Sequence, residues 1–124
     1  MFKKLKTLFG NEKETTANVE PPEVALVSSP VDRNLKGKEL ERENKVEEAM
    51  ALYWENVNEG FDGNFPYDRL TVIYRKEKNY DKEIEVLEKA VHVFKTQVNK
   101  ERADRQPKLE KFEERLAKAI ELRG

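Results

Sequence analysis

Residues 67–90 read YDRLTVIYRKEKNYDKEIEVLEKA, and the spacing of their apolar side chains decides the fold. Tyr67, Leu70 and Tyr74 fall three and four residues apart, as on one face of a helix. Asn79-Tyr80-Asp81 then makes a turn, with Asp81 placed to cap a second helix carrying Ile84, Leu87, Ala90, Val91, Phe94 and Val98. Upstream, residues 37–53 (GKELERENKVEEAMALY) repeat the arrangement with Gly37, Leu40, Ala49 and Tyr53. The offset is 34 residues, which sets Ala49 opposite Glu83 and Tyr53 opposite Leu87. A helical hairpin used twice at that period points to a scaffold that binds another protein.

Around these hairpins the chain divides in two. Residues 1–30 read as a flexible N-terminal arm and proline-containing linker, and residues 31–124 as one all-α domain of four to five antiparallel helices. The first helix is expected from an Asp32 cap through Asn44, and the second from Glu47 to about Asn58. On the second helix Val46, Ala49, Met50, Tyr53, Trp54 and Val57 form one apolar face. A loop at Gly60–Pro66 leads to a third helix over Pro66–Lys78, its first turn suited to proline. The fourth helix could continue to about Arg105, roughly 25 residues or some 37 Å at 1.5 Å each. Pro107 starts a fifth, with Leu109, Phe112, Leu116, Ala119 and Ile120 on a stripe.

In the arm, MFKKLKTLFG (1–10) alternates Met1, Phe2, Leu5, Leu8 and Phe9 with Lys3, Lys4 and Lys6. It reads as a frayed terminus or a docked turn, and alternatively as a short basic amphipath for an anionic membrane surface or a partner's groove. Pro21, Pro22 and Pro30 exclude a continuous helix over 11–30. The patch Val24-Ala25-Leu26-Val27 reads as a sticky turn, with a strand-like or linear motif bound in trans as alternatives.

Composition narrows the function. Charged residues make up 40% of the 124, with 24 basic against 25 acidic and a net charge of −1. Bulk charge thus gives no reason to expect nucleic-acid binding. The basic cluster Lys95, Lys100, Arg102, Arg105, Lys108 and Lys111 keeps that alternative open, diluted by Glu101, Asp104 and Glu110. There is no cysteine, so disulfides and thiolate metal sites are excluded. No run approaches the apolar length that spans a bilayer, and no secretory leader is evident. A cytoplasmic protein follows, with a peripheral place on the membrane as the alternative.

Catalytic residues are missing from the pattern. His92, the only histidine, lies between Val91 and Val93 with no second ligand at a recognised spacing. The carboxylates alternate with Lys and Arg, as on solvated helix faces. No phosphate-cradling, nucleophile-elbow or zinc motif occurs. The chain is therefore expected to be no enzyme and to use no cofactor or metal.

The chain resembles the tetratricopeptide repeat family over about residues 31–96. Gly37 and Leu40 take a small and a large place in a first helix, and Ala49 and Tyr53 their counterparts in a second. Tyr67, Leu70, Tyr74, Tyr80, Leu87 and Ala90 take the corresponding places in the next unit. Arg33, Lys36, Asn56, Glu83 and Phe61 depart from the pattern, so the first helix is expected to grip its partner weakly. No third unit follows in phase, since Glu101 and Asp104 stand where apolar residues belong. The last helix then acts as a cap, and self-association through the fourth or fifth helix, as a homodimer, is an open route to more burial. The small size and lysine-rich start look bacterial or phage-derived.

The resemblance implies a concave groove lined by the first helix of each hairpin. By position it presents Asn34, Lys38, Glu41 and Arg42, then Phe65, Asp68, Arg69, Val72, Arg75 and Lys76. Five of these ten are basic and two acidic. Such a floor suits an acidic segment or a C-terminal carboxylate of a protein partner, and an adaptor, regulator or inhibitor role. The cluster Tyr53, Trp54 and Phe61 reads either as an exposed interface or as the joint between hairpins.

Overall fold

The structure, a computed structural model, describes residues 29–124. The arm expected over 1–30, its amphipathic start and the Val24–Val27 patch lie outside the described residues except for Ser29 and Pro30. Among the described residues five helices follow one another: α1 (Pro30–Arg42), α2 (Val46–Asn58), α3 (Phe65–Lys76), α4 (Tyr80–Thr96) and α5 (Arg105–Arg123). Each packs against the next, giving an all-α stack of antiparallel hairpins with no strand among the described residues.

The repeat is carried by the backbone itself. α1 and α3 end 34 residues apart, at Arg42 and Lys76, and α2 and α4 begin 34 apart, at Val46 and Tyr80. In both turns one residue takes the left-handed conformation, Asn44 at φ 64° and Lys78 at φ 58°. The next N–H closes the turn in the same way each time: Lys45 donates to the Leu40 carbonyl and Asn79 to that of Tyr74, both at 2.8 Å. Such a bond satisfies a carbonyl that the helix end would otherwise leave unpaired.

Local chemistry corrects three expected boundaries. Ser29, not Asp32, caps α1: its Oγ accepts the Asp32 N–H at 3.0 Å, and Asp32 lies in the first turn. Asn79, not Asp81, caps α4 by accepting the Lys82 N–H at 3.2 Å. α4 also stops at Thr96 instead of reaching Arg105. There the Val98 N–H returns to the Val93 carbonyl at 3.0 Å, and the Asn99 side chain takes the Glu101 N–H at 2.8 Å. Turn bonds of this kind compete with helix continuation. Two turns therefore separate α4 from α5, which starts at Arg105, before Pro107.

The core runs the length of the stack. Gly37 lets α1 approach α2 closely, because a Cβ there would stand 2.4 Å from the Tyr53 ring. Trp54 bridges α2 to α3, its Nε1–H donating to the Tyr74 hydroxyl at 2.8 Å, so the aromatic group is a joint between hairpins. Tyr67, Phe94 and Phe112 meet at centroid distances of 5.2–6.4 Å and lock α5 onto α3 and α4. Ile120, expected on the buried stripe of α5, is exposed.

The departures from an apolar pattern turn out to be structural. Arg33 is 5% exposed and donates from Nε to Asn56 at 2.6 Å and from its terminal nitrogen to Glu59. Asn56 in turn donates to the Pro30 carbonyl and to Asn34, both at 2.8 Å. A polar network thus joins α1 to α2 where apolar side chains were expected. Glu83, 2% exposed, is gripped by Arg75 through bonds of 2.6–2.9 Å.

Candidate partner-binding face

Two side-chain bridges tie α1, α3 and α5 side by side. Arg69 of α3 reaches Glu41 of α1 with both Nε and a terminal nitrogen, at 3.0 and 2.6 Å. Arg115 of α5 donates to Asp68 at 2.7 Å and also to the Thr71 hydroxyl, both on α3. Guanidinium forks suit such crossings because they bond in a plane in two directions. Glu41 also accepts the Tyr53 hydroxyl at 2.6 Å. Burial raises the Glu41 carboxyl, but the bonds from Arg69 and Tyr53 and the Arg69 charge outweigh it and hold the group below its ordinary value. Burial, with the Glu41 carboxylate beside it, pushes the Tyr53 hydroxyl well above its own.

Between α3 and α5 an open groove of about 670 Å³ is lined by Val72, Pro107, Lys111, Phe112 and Arg115 among others. It continues past Val72 and Arg115 into a second hollow of about 370 Å³ with Arg75 and Lys76. Val72 is 48% exposed at the junction. The carboxylates here are already spoken for: Asp68 by Arg115 and Asn64, Glu83 by Arg75. Lys108 pairs with Asp104 at 3.0 Å. Lys76 and Lys111 make no ion pair among the described residues and leave the groove cationic in a chain of net charge −1.

The expected floor is therefore divided. Val72, Arg75 and Lys76 come together in the groove. Arg69 and Arg75 are engaged by carboxylates of the fold, and Asn34 belongs to the Arg33–Asn56 network. Phe65 packs edge-on against Tyr53 at 5.7 Å. Lys38 and Arg42 stand exposed on α1. The residues that complete the groove, Lys108, Lys111 and Arg115, come from α5. Their three- and four-residue spacing on one stripe was the available signal.

The other basic cluster is neutralised at three of its six cations, while Lys100, Arg105 and Lys111 make no ion pair among the described residues. Arg102 bonds Asp62 and Asp104, Lys108 pairs with Asp104, and Lys95 lies 3.9 Å from Glu113. His92 is exposed on α4 beside Glu85, Glu88 and Lys89. Among the described residues no cluster of His, Cys, Asp and Glu could hold a metal, and no helix is long and apolar enough to cross a membrane. No protein-family model, curated protein or solved structure matches the chain.

Proposed function

We propose that this chain is a non-catalytic protein-binding module, an adaptor, regulator or inhibitor, that receives an acidic segment of another protein between α3 and α5. The observation that carries the reading is the exposed Val72 set between Lys76 and Lys111, two cations with no carboxylate of the described fold to neutralise them. An apolar side chain of the partner covers Val72, and its carboxylates meet the two ammonium groups. The backbone repeat of 34 residues supports kinship with tetratricopeptide repeats, with α5 as the closing helix.

The test uses a photo-crosslinking amino acid at position 72 to capture the partner from lysate, followed by titration of that partner. Lys76→Glu/Lys111→Glu is the informative variant, because both side chains are exposed and the fold does not depend on them. Binding about tenfold weaker or more, with unchanged helicity, is expected, since a single charge-assisted bond contributes about 1.5–3 kcal/mol. Undiminished binding by that variant contradicts the proposal. Reversing Arg69 or Arg75 is uninformative, because each holds a carboxylate of the fold.

A further inference from the structure

The outer stripe of α1 carries Val31, Leu35, Lys38 and Arg42, about one side chain per turn. Val31 and Leu35 are 60% and 61% exposed. Lys38 and Arg42 are exposed and pair with no carboxylate among the described residues. The internal repeat shows what belongs against this stripe. Leu35 corresponds to Arg69, and Arg69 is the side chain through which α3 meets α1, the first helix of the preceding hairpin, at Glu41. Position 35 is thus where α1 would meet a preceding element, and none of the described residues covers it.

What precedes α1 is the chain's own residues 1–28. Within them, residues 20–27 (EPPEVALV) hold the complementary chemistry in reverse order: four apolar side chains next to the helix, then Glu23, then Glu20. No lysine or arginine lies between Lys13 and Arg33. Ser29 is extended, at φ −93° and ψ 153°, and its cap to Asp32 fixes the point at which the chain leaves the helix.

We propose that residues 20–27 run back along α1, antiparallel to it, and cover this stripe. The lengths agree. From Val31, Leu35 lies about 6 Å, Lys38 about 10 Å and Arg42 about 16 Å along the axis at 1.5 Å per residue. From Val27, an extended chain at about 3.2 Å per residue puts Val24 at about 10 Å, Glu23 at about 13 Å and Glu20 at about 22 Å. Val24–Val27 then lie over Val31 and Leu35, Glu23 reaches Lys38, and Glu20 comes within the length of the Arg42 side chain. Pro21 and Pro22 suit this role, since they favour an extended course and cannot continue a helix. The segment docks on its own chain rather than on a second copy because only Ser28 and Ser29 separate it from α1 in sequence, which gives a high effective concentration. Docking covers Lys38 and Arg42 and leaves Val72, Lys76 and Lys111 open, so it stands apart from the groove's function.

The cysteine-free sequence makes the test direct. In the full chain at high dilution, Val24→Cys/Leu35→Cys is oxidised beside Val24→Cys/Asp32→Cys, whose second site is nearer in sequence but off the stripe. A disulfide needs the two Cα atoms within about 7 Å, so docking predicts an intramolecular bond about tenfold faster in the first pair. A loose segment would close the shorter loop at least as fast, and that result overturns the proposal, as does a disulfide-linked dimer. Amide exchange supplies a second readout on the natural sequence. Residues 20–27 should exchange about tenfold more slowly than in Val31→Glu/Leu35→Glu, whose exposed sites keep the fold intact. Equal rates overturn the docking.

Discussion

The first hairpin, α1 and α2, and the second, α3 and α4, share a backbone but place their polar chemistry at opposite ends. In the first, Arg33 and Asn56 meet at the open end of the helices. The equivalent positions in the second are Tyr67 and Ala90, both fully buried and not bonded to each other, the Tyr67 hydroxyl donating instead to the Phe61 carbonyl at 2.7 Å. Near the turn the roles reverse. Glu83 is buried beneath Arg75 in the second hairpin, while the first has Ala49 there and Glu41 in the place of Arg75. A repeated fold therefore does not require repeated side chains. What each polar group needs is a partner, which comes from within its own hairpin for Glu83 and from the next hairpin for Glu41.

The largest expected effect comes from breaking the buried pair of the second hairpin from one side. Arg75→Ala leaves the Glu83 carboxylate buried without a partner and should cost about 3 kcal/mol or more in denaturant unfolding. Glu83→Ala should cost clearly less, about 1 kcal/mol, because Arg75 is exposed enough to be solvated and the first hairpin already has alanine there. Equal losses would show that Glu83 is not desolvated as described.

Next in size is Arg33→Ala, expected to cost about 2 kcal/mol by orphaning Asn56. Importing the second hairpin's pair sharpens the comparison. Arg33→Tyr/Asn56→Ala should return to within about 1 kcal/mol of the natural chain, as apolar replacement of buried polar pairs often does. A double variant worse than Arg33→Ala would mean that the two hairpins are not interchangeable at this position.

A smaller effect separates the hairpins by pH. The folded Glu41 carboxyl titrates below its ordinary value of 4.5, so its contribution is fully present above that value. It is lost as pH falls through the folded pKa. Stability of the natural chain should therefore decline more between pH 7 and pH 3 than that of Glu41→Gln. Parallel profiles would remove Glu41–Arg69 as a charged tie between α1 and α3.

The smallest effect lies in the turns. Lys78 holds a left-handed conformation that glycine adopts without strain, so Lys78→Gly should stabilise by about 0.5–1 kcal/mol. Asn44→Gly should give less, since asparagine tolerates that region. Thermal melts of the two variants decide it.

The hairpins, their period and most of α3 were legible in the sequence because helical spacing of apolar residues is a local signal. The end of α4 was harder to read. Val98 continues the apolar pattern, and only the bonding capacity of Asn99 marks the stop. Arg33, Asn56 and Glu83 read as defects because their partners lie in another helix or in the next turn, beyond any short-range pattern. For the same reason Arg69 and Arg75 read as groove cations, although the carboxylates that engage them lie 28 and 8 residues away. The lysines of α5 were visible as a stripe. Their place opposite Val72 depends on how α5 docks through Phe112, which spacing alone does not give.

The most direct test of the groove is an amide chemical-shift map of the full isotope-labelled chain, titrated with the partner captured at position 72. Shifts concentrated at Val72, Lys76, Lys111 and Arg115 are the predicted result. Shifts centred instead on the α2–α4 side, around Glu59, Glu88 and His92, would contradict it.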